Sequence, residues 1–111
     1  MMTQEDYRQL NRKYQDEKIQ RAENIRHYAE KLAPLVPWLK KGEYYWIEWV
    51  NEDTGHGDEF YTTSRWQAVC KFCEFLSWGH DYTAIKYDSP EKGTVNIFTN
   101  SDVPVLLPLP A

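Results

Sequence analysis

The first third of the chain carries apolar side chains at helical spacing. No glycine or proline precedes Pro34, and Thr3 with Asp6 has the spacing of a capping box in which Asp replaces the usual Glu. The pattern predicts one long helix from about residue 4 to 33, about 45 Å long at 1.5 Å per residue. Its apolar stripe is interrupted by Lys18 and consists of Tyr7, Leu10, Tyr14, Ala22, Ile25, Ala29 and Leu32.

A helix of this length exceeds the ~30 Å width expected for a compact body formed by the remaining residues. We therefore expect Tyr7, Leu10 and Tyr14 to lie beyond that body. An uncovered helical extension gains little stability from propensity alone, so it should either be covered or fray. We expect a homodimer through this helix to cover the stripe, and the functional target is the alternative occupant.

The pattern changes after Pro34 and Pro37, which end the helix. Residues 34–42 form an apolar connector that we expect to dock on the body. Residues 43–50 alternate with the period of a strand, residues 51–57 have the composition of a hairpin loop, and residues 58–62 form a second strand. The first strand has two aromatic faces, one with Tyr45, Ile47 and Trp49 and the other with Tyr44, Trp46 and Glu48.

A second helix is predicted from Ser64, which has the capping spacing to Gln67, up to Gly79. Residues 81–87 and 94–99 then alternate as two strands around a turn at residues 88–93. The proline-rich tail, residues 101–111, is expected to run extended. The apolar stripe of the second helix is predicted to consist of Trp66, Val69, Cys70, Cys73 and Leu76.

The element order α-β-β-α-β-β predicts an α+β fold in a single domain. A helix between the second and third strands implies a crossover, which places the third strand beside the first. We therefore predict a four-stranded antiparallel sheet in the order 2-1-3-4, over residues 43–100, with one helix packed on a face. The other face is expected to lie under the N-terminal helix or the connector.

Charge and composition narrow the classes of function. The net charge is −4 and the pI is about 5.3, and the excess lies in residues 34–111, with six basic against eleven acidic residues. Such a body has no field that attracts a phosphate backbone, so nucleic-acid binding is disfavoured. The alternative role for this acidity is to bind a basic surface of a partner or to mimic nucleic acid.

The chain opens with polar residues, and its apolar runs fall short of the ~20 residues of a membrane span. With two cysteines and no cysteine framework, the sequence indicates a cytoplasmic protein without membrane attachment. Cys70 and Cys73 have the two-residue gap of redox and zinc motifs but lie within the second helix, so we expect reduced, metal-free core residues. Zinc held with His56 and His80 is the alternative.

The sequence contains few motifs that are typical of enzymes. Asp53-Thr54-Gly55 is the tripeptide of aspartic proteases, but such an enzyme needs a second carboxylate, and Asp, Thr and Gly are also what a hairpin loop requires. The sequence contains no phosphate-binding loop and no nucleophile elbow. We therefore expect neither an enzyme nor a bound cofactor.

The remaining signal is the 15% aromatic content, since rigid Trp and Tyr side chains commonly anchor protein interfaces. We expect a non-catalytic protein-binding module, of the kind that phages and mobile elements use to inhibit a larger host or defence complex by covering a surface. The alternatives are a nucleic-acid-binding accessory factor with an aromatic sheet face and a small metal or thiol enzyme. The candidate partner-binding residues are Tyr7, Leu10, Tyr14, Tyr44, Trp46, Glu48, Asp58 and Glu59.

Overall fold

The N-terminal helix, α1, spans Gln4–Leu32 in a computed structural model that describes residues 1–106. Its first turn is closed by the predicted capping box, because the Thr3 hydroxyl accepts from the Asp6 amide at 3.2 Å and the Asp6 carboxylate accepts from the Thr3 amide at 2.9 Å. The hydrogen bond from the Thr3 amide lowers the pKa of Asp6. A 3₁₀ turn, Ala33–Leu35, follows α1. The predicted long helix is confirmed.

The four strands are β1 Tyr44–Val50, β2 Gly57–Thr62, β3 Tyr82–Ser89 and β4 Gly93–Thr99. They form one antiparallel sheet in the predicted order β2-β1-β3-β4. The central strand β1 pairs with β2 on one side and β3 on the other, so the crossover carries the chain over the sheet. A bulge between Ile85 and Lys86 shifts the register between β3 and β4.

The crossover helix, α2, spans Arg65–Ser77 and packs on one face of the sheet. The Ser64 hydroxyl caps it by accepting from the Gln67 amide. Tyr45 and Ile47 are fully buried beneath it, and Phe72 meets Phe98 edge to face at 5.1 Å. Tyr45 and Ile47, which were predicted to share one face of β1, therefore both lie on the face that α2 covers.

The buried arc of α2 differs from the predicted stripe. Trp66 is exposed and Cys70 is only half-buried, because α2 lies between the sheet and α1 and must bury two directions at once. Its buried residues are Ala68, Val69, Phe72, Cys73 and Phe75.

Only the last turns of α1 dock on the body. Ala29 and Leu32 are buried and Ile25 and Tyr28 are partly buried against the core, whereas every residue from 1 to 24 is exposed. This overhang stretches the molecule to 62 Å, against 32 and 29 Å in the other two directions. The expectation that α1 extends beyond the body is confirmed. Among the described residues, no helix is long and apolar enough to cross a membrane.

Because α1 packs against α2, it does not cover the second face of the sheet. The expectation that the N-terminal helix or the connector covers this face was wrong. The connector does not cover that face either, since it packs between α1 and α2. Val36 is buried, and the Tyr45 hydroxyl donates to the Pro37 carbonyl at 2.6 Å. Arg65 donates to the carbonyls of Val36, at 2.8 Å, and of Ala33.

The expectation of an extended tail was also wrong for its first part. Val103–Leu106 form one helical turn, α3, and Val103 is buried. The turn is closed by the backbone amides of Val105 and Leu106, which both donate to the Asp102 carbonyl at 3.1 Å, and proline is tolerated in a first helical turn. The remainder of the predicted extended tail, residues 107–111, lies outside the described residues.

We predict that Tyr45→Phe lowers the free energy of unfolding by about 1 kcal/mol, because the Pro37 carbonyl loses its hydrogen-bond donor beneath the connector. Urea unfolding followed by far-ultraviolet circular dichroism measures this change. Tyr61→Phe is the matched control, since its hydroxyl is exposed and bonded only to Glu59. Equal midpoints for wild type and Tyr45→Phe would contradict the assigned role of this bond.

Candidate protein-binding surface

The sheet face turned away from α2 carries an aromatic and charged surface, which we call the open face. Sheet register brings its members together, since Trp46 lies between Tyr61 on β2 and Lys86 on β3. Glu48 lies opposite Glu59, and Tyr44 lies opposite Asp88 by the same alternation. The open face consists of Tyr44, Trp46, Glu48, Glu59, Tyr61, Lys86 and Asp88.

Three aromatic rings form a continuous ladder on the open face. Trp46 stacks on Tyr61, with ring centroids 5.9 Å apart and planes 23° apart. Tyr44 meets Tyr61 edge to face at 5.8 Å. Tyr61 is 51% exposed and Tyr44 is 36% exposed, so solvent reaches both phenol rings.

Each exposed phenol is held by a carboxylate. The Tyr61 hydroxyl donates to Glu59 at 2.6 Å, and the Tyr44 hydroxyl donates to Asp88 at 2.7 Å. These bonds stabilise the protonated phenols, so the pKa of Tyr61 rises to about 12 and that of Tyr44 is also raised. Both rings are thereby fixed in orientation at neutral pH.

An ion pair between Lys86 and Glu48 lies at the centre of the open face. Lys86 donates to Glu48 at 2.5 Å, and its ammonium lies 5.0 Å from the centre of the Trp46 ring. Burial disfavours the charged form of Lys86, but the hydrogen bond to Glu48 and the charge of Glu48 outweigh it, so the pKa of Lys86 is raised. With three carboxylates and one ammonium, the open face is acidic.

The structure brings four of the sequence-predicted residues together, namely Tyr44, Trp46, Glu48 and Glu59. It separates Asp58 from Glu59, because adjacent strand residues point to opposite faces and Asp58 lies opposite Trp49 on the side of α2. Asp58 therefore does not share this surface with Tyr44, Trp46, Glu48 and Glu59. The predicted helix residues Tyr7, Leu10 and Tyr14 lie on the overhang, away from the sheet.

Sequence reasoning missed Tyr61, Lys86 and Asp88 as members of the open face. Their period-two alternation was visible, and the predicted order 2-1-3-4 placed both strands beside β1. The missing information was the register, because a shift of one residue would have turned each of these side chains to the other face.

The other residues considered for metal binding or thiol chemistry do not come together in one site. Cys73 is buried within α2, and desolvation raises its pKa to about 12, while burial also raises the pKa of Cys70. His80 stacks on Trp49 with ring centroids 3.6 Å apart. Within residues 1–106, no three His, Cys, Asp or Glu side chains lie close enough together to hold a metal ion.

The loop with Asp53 has the geometry of a hairpin turn. The Asn51 side-chain carbonyl accepts from the amides of Asp53 and Thr54, and the Asn51 amide donates to the His56 carbonyl at 2.7 Å. Gly55 adopts a φ of +73°, which a glycine accommodates without strain. These contacts explain why the loop contains Asn and Gly, because both residue types support the backbone of the hairpin turn.

Comparisons with known proteins assign neither a family nor a function to this surface. No family model matches the sequence, and neither the curated proteins nor the solved structures include a significant match.

We predict that the two thiols react at different rates in the native protein. At pH 7.5 a maleimide reagent should modify Cys70 slowly and Cys73 at least about tenfold more slowly, because Cys73 is buried and its pKa is near 12. Mass spectrometry of timed samples, with Cys70→Ser and Cys73→Ser as controls, measures both rates. Equal rates, or one equivalent of zinc that protects both thiols, would refute the assignment of Cys73 to the core.

Proposed function

We propose that this protein is a non-catalytic protein-binding module whose docking surface is the open face. The observation that carries the proposal is the ladder of Tyr44, Trp46 and Tyr61, which is exposed at its rim and held rigid by carboxylate hydrogen bonds. Rigid aromatic side chains lose little conformational entropy on binding, and for this reason Trp and Tyr dominate interface energies.

The charges of the open face indicate the chemistry of the partner. Glu59 and Asp88 each use a carboxylate oxygen to hold a phenol, and a carboxylate has further lone pairs with which to accept from a guanidinium or ammonium group. Arginine also stacks on aromatic rings. The partner that fits is a protein surface with exposed Arg and Lys side chains.

Covering such a surface would inhibit a partner that uses its basic side chains for its own contacts. This is the role that we propose here, in the manner of the small accessory proteins of phages and mobile elements. The two free cysteines, Cys70 and Cys73, support a cytoplasmic setting.

Photo-crosslinking from the open face tests the proposal directly. We predict that a photoreactive amino acid in place of Tyr61 crosslinks one protein in cells that naturally produce this chain. The same amino acid in place of Trp66, which is 44% exposed on α2, is the matched control and should give no such product. Crosslinking of the same protein at equal yield from both positions would refute the open face as the docking surface.

The crosslinked partner, once purified, permits a measurement of affinity. Tyr61→Arg should weaken binding at least about tenfold by placing a cation against a basic surface, whereas Trp66→Arg should leave the affinity unchanged. If the wild-type protein inhibits an activity of the partner, the Tyr61→Arg variant should no longer inhibit it. Equal affinities of the two variants would contradict the proposal.

Nucleic acid is the competing ligand, and the open face argues against it because phosphates would face Glu48, Glu59 and Asp88. We predict no submicromolar binding of duplex or single-stranded oligonucleotides at physiological salt. Fluorescence anisotropy with labelled oligonucleotides measures this. Tight binding that weakens steeply with salt and is lost in Trp46→Ser would favour a nucleic-acid-binding factor instead.

A further inference from the structure

The overhang of α1 presents an apolar stripe with nothing packed on it among residues 1–106. Tyr7 is 59% exposed, Leu10 41% and Tyr14 63%. The docked residues Ile25, Tyr28 and Leu32 repeat the same spacing eighteen residues later, which is about five turns. The overhang therefore exposes the same side of the helix that the docked end buries against α2.

We infer that the occupant of this stripe is the overhang of a second copy, paired antiparallel about a two-fold axis near Leu10. In this register Leu10 faces its own symmetry mate, and Tyr7 of one protomer lies beside Tyr14 of the other. The pairing is closed, because the same stripe serves both protomers.

Charge complementarity selects the antiparallel arrangement. Asp6 and Lys13 lie two turns apart on one flank of the stripe, and antiparallel pairing places Asp6 of each protomer beside Lys13 of the other. Parallel pairing would instead turn this flank toward the opposite flank of the partner and place Lys13 of each protomer near Lys18 of the other. The overhang itself is neutral, with five basic and five acidic residues in positions 1–24, so two overhangs do not repel each other.

The bodies give a second reason for the same orientation. Residues 25–111 carry eight basic and twelve acidic residues, so two bodies repel each other. Antiparallel pairing places the bodies at opposite ends of the helix pair, whereas parallel pairing places them side by side.

The length of the overhang fits this register. When Leu10 faces Leu10, residue 1 of one protomer reaches the level of residue 19 of its partner. The packed part of the helix begins at Ile25, about 9 Å further on, and the Arg21 side chain already donates to Ser77 of α2 at 2.9 Å, so each overhang ends just short of the other body. Three apolar side chains per protomer form a small interface, and we expect dissociation at roughly micromolar concentrations.

Sedimentation velocity over a concentration series tests the pairing, with a matched pair of variants. Leu10→Glu should raise the dissociation constant at least about tenfold. Ile19→Glu is the control, because Ile19 is also exposed but lies nine residues, or about two and a half turns, from Leu10 on the opposite side of the helix. A monomeric wild type at high micromolar concentration, or equal effects of both variants, would overturn the inference.

Disulfide formation tests the orientation, since it requires Cα atoms within about 7 Å. In a Cys70→Ser background, a mixture of Tyr7→Cys and Tyr14→Cys chains should oxidise to a heterodimer faster than either chain alone. Faster dimerisation of Tyr7→Cys with itself would show parallel pairing and overturn the arrangement. The open face lies outside this interface, so Leu10→Glu should retain the crosslink from position 61, which separates this inference from the proposed function.

Discussion

The packing of α2 between the sheet and α1 determines which surfaces of this protein are covered. One side of α2 buries Tyr45 and Ile47 of the sheet, and another receives Ala29 and Leu32 of α1. Because a single helix accepts both neighbours, α1 is held on the far side of α2 from the sheet. The second face of the sheet and the part of α1 up to residue 24 then remain outside the core.

The connector fixes this layered arrangement in place. Arg65 begins α2 and donates to the carbonyls of Ala33 and Val36 at the end of α1, and its guanidinium lies 4.4 Å from the centre of the Trp38 ring. The hydroxyl of Tyr45 ties the same segment to β1 through the Pro37 carbonyl. The C-terminal end of α1 is thus anchored to both other layers, which fixes the direction in which the overhang projects.

The two uncovered surfaces differ in chemistry. The open face combines fixed rings with an excess of carboxylates, on which the proposed basic partner rests, whereas the overhang is neutral and carries the apolar stripe on which the proposed pairing rests. Their separation means that self-association through Leu10 leaves Tyr61 and Glu59 accessible. Under the proposed function, the paired protein would carry two open faces. Binding through one face would raise the effective concentration of the other at the partner, and so would increase the apparent affinity of the pair.

The sequence by itself determined the secondary structure and much of the topology. The capping residues Thr3 and Ser64 mark where the helices begin, and the alternation of residues 44–49 predicted both faces of β1, because these signals depend on neighbours a few positions away. The order 2-1-3-4 followed from chain connectivity. The tail was predicted less well, since the helical turn at Val103–Leu106 places Val103 in a buried site on the body that the local pattern does not show.

Only the tertiary structure decided how the layers stack and which residues share a surface. Hydrophobic periodicity showed that α1 and α2 each have a face to bury, but it did not specify the neighbour, and so Trp66 was wrongly placed in the core. Strand register brought Tyr61, Lys86 and Asp88 beside the predicted Tyr44 and Trp46, and it placed Asp58 on the other side of the sheet. Register and stacking depend on contacts between residues far apart in the chain, and a local pattern does not contain them.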